Sequence, residues 1–277
     1  MRRSERVTYA FLYVTVAVFV FYSLFPIFYM VITSIKSYMD LYASPPRFFA
    51  FEATLENYRE LYREGAQSYF LNSVVIASAA TFLTLFFGSL MAFNFAKHRF
   101  WGKKALFFMI IVTRAYPPVT TLIPIYLMVR SMGLYDTRVG LIVVYASLQM
   151  SLVVWVMRSF FASIPKETME SALVDGASIT TLFFRIALPL TVPGLVASGI
   201  LVWVLYWNEF LMALILTSTN VSKTIPVALS SFLVSEQKAH WGTLSAFGLI
   251  GIVPILVIVA VASKHFVKGI MAGSVKE

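Results

Sequence analysis

Residues 9–35 read Tyr9-Ala10-Phe11-Leu12-Tyr13-Val14-Thr15-Val16-Ala17-Val18-Phe19-Val20-Phe21-Tyr22-Ser23-Leu24-Phe25-Pro26-Ile27-Phe28-Tyr29-Met30-Val31-Ile32-Thr33-Ser34-Ile35, without one charged side chain. A helix needs about 20 apolar residues to cross the hydrocarbon of a bilayer, and this stretch exceeds that. It is too long for the apolar core of a secretion signal, and no small-residue cleavage pattern follows it, so it reads as a retained span. Five further stretches qualify: residues 72–96, 106–129, 139–161, 192–216 and 244–265. In lipid every backbone N–H and C=O must bond within its own segment, which favours helix over open strand. The expectation is an all-α polytopic membrane protein, a single domain over residues 1–277 with six transmembrane helices.

Composition agrees with that reading. The chain is 59% hydrophobic and 13% charged over 277 residues, with a mean hydropathy of +0.81. Soluble domains are about one quarter charged. The absence of cysteine excludes disulfides, thiolate metal sites and cysteine nucleophiles. The net charge of +9 is explained by basic residues flanking membrane spans rather than by nucleic acid. With the N-terminus inside, thirteen of the 22 Lys and Arg fall on the inner side, eight on the outer side, and Arg114 lies within a span. That bias puts both termini in the cytoplasm. The run Lys97-His98-Arg99-Phe100-Trp101-Gly102-Lys103-Lys104 is its clearest anchor.

Two connections are long. The outer one, residues 36–69, is broken by Ser44-Pro45-Pro46, and residues 55–62 beyond it have the spacing of a short surface helix. The inner one, residues 163–189, is more informative. Pro165 suits the first turn of a helix, and Glu167 complements its positive end. Gly176 is placed to end that helix. Ser178 can cap a second one carrying Leu182, Phe183, Phe184 and Ile186, with Pro189 expected to stop it. The product is a cytoplasmic helix–turn–helix between spans 4 and 5. Small residues at Ala172, Gly176 and Ala177 would let another protein approach closely, and Phe183 and Phe184 offer rigid apolar area of the kind interfaces use. An amphipathic helix lying flat on headgroups fits the same residues.

The segment resembles the EAA loop of permease subunits in binding-protein-dependent ABC importers: Glu170-Ser171-Ala172, then Asp175-Gly176-Ala177-Ser178, then Leu188-Pro189. Ser171 departs from the usual alanine but is also small. Phe160 to Pro165, Pro193-Gly194 and the outer Glu56-Asn57-Tyr58 are similar to the same family. Trp207-Asn208-Glu209-Phe210 and the C-terminal run Lys268 to Lys276 resemble its carbohydrate branch, the six-span permease of the maltose type. The resemblance implies ATPase docking by Glu170, Ser171, Ala172, Asp175, Gly176 and Ala177. It also implies contact of the tail at Gly273, Ser274 and Lys276 with the ATPases. Two ATPase domains, a second and different permease subunit and an extracytoplasmic solute-binding protein would be the partners in a prokaryotic inner membrane.

Arg114 in the third span and Glu209 in the fifth are ionisable residues at membrane depth. Such residues face a cavity or a partner because bare charge in lipid is costly. They are candidates for the translocation path together with Tyr116, Tyr206 and Asn208; the tyrosines could stack on sugar rings, although packing and an internal ion pair account for the same residues. Pro117-Pro118 and Pro124 should kink or break the third span. His98, His240 and His265 have no metal-ligand spacing, and no serine–histidine–acid set is legible. No Gly-x-x-x-x-Gly-Lys-[Ser/Thr] loop is present. The chain is therefore expected to bind no cofactor and to be no enzyme; the resemblance implies ATP and Mg on a partner ATPase and a sugar as cargo. The rivals are an ion-coupled secondary transporter, for which Glu209 is the one obvious acid, and an integral-membrane enzyme, which would need clustered catalytic residues.

Overall fold

The computed structural model describes residues 3–234 and 240–273, with side chains at residue 9, from 11 to 232 and from 240 to 261. It is 78% helical, with no strand among the described residues. In chain order the main helices are α1 (Arg3–Ser34), α2 (Glu56–Arg63), α3 (Ala66–Lys97), α4 (Lys103–Val112), α5 (Pro118–Ser131), α6 (Arg138–Leu148) and α7 (Met150–Ala162). They continue with α8 (Lys166–Val174), α9 (Val192–Trp207), α10 (Leu211–Leu216), α11 (Ile225–Val234) and α12 (Trp241–Gly273). Three stretches are long and apolar enough to cross a membrane unaided: Phe11–Ser34, Ala66–Lys97 and Trp241–Val261. Three bent pairs satisfy the same test jointly: Lys103–Ala115 with Pro118–Ser131, Arg138–Leu148 with Met150–Ala162, and Ile179–Leu190 with Val192–Trp207.

The bends have local causes. At Pro117-Pro118 the third apolar stretch turns by 102° after a 3₁₀ turn over Thr113–Ala115, because neither proline can donate to the preceding helix. Pro124, by contrast, sits inside α5 without ending it. The helix expected over residues 192–216 is interrupted after Trp207. The Asn208 side chain donates to Val204 O at 2.8 Å, and the Glu209 carboxylate accepts from the backbone of Met212 at 2.8 Å and Ala213 at 3.1 Å. One side chain closes a helix end and the next opens α10.

The chain forms two compact units, Met1–Gln67 with Ala228–Pro254, and Ser68–Val227 with Ile255–Glu277. In the first, α2 is clamped onto the end of α1. Asn57 donates to Ser34 O at 2.8 Å and Lys36 O at 2.9 Å, and its side chain fills the space a Cβ on Gly242 would need. Glu60 accepts from Thr243 at 2.5 Å. The Ser37 hydroxyl, helped by Arg47 at 3.1 Å, holds the Asp40 carboxyl below its ordinary value. The second unit packs around α3. Its core includes Phe93, Tyr145, Val153, Met157, Phe161 and Met212, all at most 2% exposed. Gly88 lets Val153 lie where a Cβ would stand, 2.7 Å away. Lipid provides no hydrophobic drive between helices, so close approach at small residues and buried polar bonds must supply the attraction.

Candidate functional site

The segment expected to carry function begins with Pro165 in extended backbone before α8, with Glu167 in the first turn. The helix ends in a Schellman turn: Gly176 N–H donates to Leu173 O at 3.1 Å and Ala177 N–H to Ala172 O at 3.0 Å. Gly176 has φ of +84°, a conformation that L side chains adopt only at a cost. Ser178 then accepts from Thr181 N–H at 3.2 Å and caps the second helix. Pro189 does not stop that helix. Helical backbone continues to Leu190, with a π-helical turn over Leu182–Ala187 just before the proline. Widening to i→i+5 bonding lets a carbonyl reach past the residue that lacks an N–H.

The second unit holds this segment by its inner face. Phe183, expected to face outward, is 4% exposed. Its ring lies 5.2 Å from Phe93 of α3 and 6.0 Å from Phe161 of α7, and those two rings are 5.5 Å apart. Each such pair adds roughly 0.5–1.5 kcal/mol beyond area burial. Lys97 Nζ donates to Ile164 O at 2.6 Å, and Ile164, Met169 and Leu182 are buried. Outward stand Glu170, Ser171, Asp175 and Gly176, with Ala172 and Ala177 half-buried beside them. Val174 is 87% exposed, Ile179 and Leu173 are exposed, and so is Phe184. Neither Glu170 nor Asp175 forms an ion pair among the described residues. A rigid body with a free acidic, small-residue and apolar face is suited to being gripped by another protein.

Arg114 and Glu209, expected at membrane depth, are not paired to each other but share a scaffold. Arg114 donates to the Gln149 side chain at 3.3 Å. Gln149 is the break residue between α6 and α7, whose axes differ by 47°. One helical turn earlier, the Tyr145 hydroxyl donates to Glu209 at 2.7 Å. The Tyr145 ring stacks on Tyr206 at 5.2 Å, and the Tyr206 hydroxyl bonds Thr84 at 2.8 Å. Tyr206 is therefore buried within the chain, at 3% exposure, whereas Tyr116, Asn208 and Arg114 remain exposed. Sequence reasoning missed Tyr145, Gln149 and Thr84; polar residues inside apolar runs were the available signal.

It also missed a clasp at the opposite end of α3 from Lys97. Asp136, at φ +57°, accepts from Ser218 N–H at 2.8 Å, Thr219 N–H at 3.1 Å, the Thr219 hydroxyl at 2.7 Å and the Ser222 hydroxyl. Burial pushes its carboxyl up, but these donors outweigh it and hold the group well below the usual carboxylate range. Asn72, fully buried, donates to Asn220 O and Lys223 O and accepts from Arg138 at 2.8 Å. α12 reaches Gly273, while Ser274 and Lys276 lie outside the described residues.

Comparison with known proteins bears on the fold and the family. The family described as binding-protein-dependent transport system inner membrane component matches residues 84–271. The probable ABC transporter permease protein YurM of Bacillus subtilis is 34% identical over 256 residues, covering 91% of this chain and 83% of that protein. The sulfoquinovosyl glycerol transport system permease protein SmoH of Agrobacterium fabrum is 31% identical over 254 residues, covering 91% and 89%. The fold is similar to a chain of a bacterial ABC transporter involved in the import of the acidic polysaccharide alginate, with a TM-score of 0.84, 22% identity, and coverage of 96% and 99%.

Proposed function

This chain belongs to the family of inner-membrane components of binding-protein-dependent transport systems, and from that premise we propose that it is one permease subunit of an ATP-driven importer for a sugar or oligosaccharide. A carbohydrate cargo is supported by the names of its relatives, one a sulfoquinovosyl glycerol transport system permease, and by the fold likeness to an alginate importer. The relatives lend no support to the rival readings, a secondary transporter or an integral-membrane enzyme. The chain crosses a prokaryotic plasma membrane six times, α4 with α5 and α6 with α7 each counting as one bent span and the helix from Val192 carrying the fifth, with both termini in the cytoplasm. A second, different permease completes the path, a solute-binding protein delivers the sugar outside, and separate ATPase subunits bind ATP and Mg.

The observation that carries the coupling claim is the anchored yet exposed segment over residues 163–189. Glu170, Ser171, Ala172, Asp175, Gly176 and Ala177 dock the ATPase. Closure of the ATPases displaces α8. Because Phe183 is wedged against α3 and α7, and the segment continues through Leu190 into α9 across a 76° bend, the displacement reaches three spans without slack. Rigid motion of helices about a central path is the general physics of alternating access. Arg114, Tyr116, Asn208 and Glu209 serve the path, Glu209 by shaping the break after α9; Tyr206 supports it from behind. Gly273, Ser274 and Lys276 bring the tail to the ATPases.

The chain has no cysteine, so Ser171→Cys provides a unique attachment point. A short cross-linker on that variant in the assembled transporter should capture an ATPase subunit. Capture of lipid alone, or of nothing, would overturn the docking assignment. Screening solutes for stimulation of ATP hydrolysis then identifies the sugar.

A further inference from the structure

Lys97, His98, Arg99, Phe100, Trp101, Gly102, Lys103 and Lys104 join α3 to α4. No Asp or Glu occurs between Glu64 and Asp136, and none of these basic groups is in an ion pair among the described residues. Lys97 is occupied by Ile164 O, and Lys103 donates to His98 O at 2.8 Å. Arg99 and Lys104 have no hydrogen-bond acceptor among the described residues. Phe100 leans inward on Phe95, ring centres 5.7 Å apart, while Trp101 is 99% exposed. Gly102, at φ +77°, turns the chain into α4. Arg99 to Ala105 thereby line an open hollow of about 540 Å³.

Depth decides what can fill it. Only residues 98–102 separate two apolar helices, so the loop cannot rise far above the lipid headgroups, unlike the 163–189 segment. Both stand at the same end of the second unit, as the Lys97–Ile164 bond and the Phe93–Phe183 contact require. A tryptophan at a helix end belongs to the interfacial layer, and clustered basic residues there attract anionic lipid. We infer that Arg99, Lys103 and Lys104, with Trp101 as the interfacial wedge, bind the headgroup of an anionic phospholipid in the inner leaflet. This rests on the reading that residues 163–189 face the cytoplasm.

The test uses the complete transporter complex in vesicles of phosphatidylcholine and phosphatidylglycerol, with spin-labelled lipids reporting which headgroup is held at the protein. The wild type should prefer phosphatidylglycerol. Each basic side chain is worth roughly fivefold at an anionic surface, so the triple variant Arg99→Gln, Lys103→Gln, Lys104→Gln should lose at least about tenfold of that preference. Lys103→Arg with Lys104→Arg should keep it, and Trp101→Ala should weaken it by a few fold. An unchanged preference in the triple variant would overturn the inference. So would displacement of the lipid by inorganic phosphate, or release of ATPase subunits by the triple variant with lipid preference intact, which would make the patch a protein contact. The lipid readout does not depend on which solute is carried. A failed ATPase cross-link at Ser171→Cys would instead strike at the docking reading.

Discussion

Replacing Gly176 separates the internal from the external demands on the helix–turn–helix. A Cβ at this position would meet nothing within 4 Å inside the chain. The only internal penalty for a side chain is therefore the backbone conformation, φ +84°, which costs an L residue about 1–2 kcal/mol. Alanine and leucine should incur that penalty equally, and asparagine, which tolerates the left-handed region, should incur less. Melting of the isolated permease should accordingly rank wild type, then Asn, then Ala together with Leu. In the assembled transporter the order should split. If the ATPase surface closes over Gly176, Gly176→Leu must lose co-purifying ATPase and solute-stimulated hydrolysis far beyond Gly176→Ala, because leucine adds three carbons where a partner backbone should sit. The Ala variant should lose no more than the five- to thirty-fold that about 1–2 kcal/mol allows. Equal ATPase yield and equal hydrolysis for Ala and Leu would show that nothing occupies that space, and the docking argument would fail.

Other perturbations address the scaffold. Gly194→Val should lower the thermal midpoint by an amount equivalent to about 1–3 kcal/mol of overpacking, since even a Cβ there lies 2.5 Å from the Phe160 ring. Glu209→Leu deprives two backbone N–H groups and the buried Tyr145 hydroxyl of their acceptor, a loss of about 2–4 kcal/mol. Glu209→Gln, which keeps an amide oxygen, should lose less than half of that in the same thermal-inactivation assay. Asp136→Asn should speed hydrogen exchange at Ser218 and Thr219 by roughly tenfold, equivalent to about 1–2 kcal/mol of lost charged hydrogen bonding. The depressed Asp136 carboxyl contributes stability that is complete above the ordinary carboxylate value of about 4 and is lost only as pH falls through its lower folded value. Wild-type protection of that loop should thus stay level from about pH 7 to about pH 4, and a decline inside that window would contradict the clasp.

Much of the segment over residues 163–189 was legible because its signals are local. Pro165, Gly176 and Ser178 act on backbone within four residues of themselves; Gly176 and Ser178 stand where their chemistry placed them, and Pro165 sits one residue before the helix whose first turn it was expected to join. Pro117-Pro118 broke the third apolar stretch for the same reason. Pro189 misled because its effect depends on whether the preceding turn can widen, and the packing of Phe183 between Phe93 and Phe161 accompanies a turn that does. Phe183 reads with Phe184 as outward-facing because the sequence offers the two as equals, and only packing separates them. Asp136 and Asn72 were invisible as a clasp: the bonds they make join residues 66 to 151 positions apart.

From the order of residues alone follow lipid as the solvent and helix as the backbone, because long uncharged runs cannot stay in water and their amides must bond to one another once inside hydrocarbon. Which side of each helix turns inward does not follow. A run that is apolar all round, such as 11–34, carries no preferred face, so orientation waits on the contacts of the folded chain. Those contacts put Phe183 inside and Phe184 outside, join Arg114 to Gln149 and Tyr145 to Glu209, and leave the acidic, small-residue surface of α8 open to a partner.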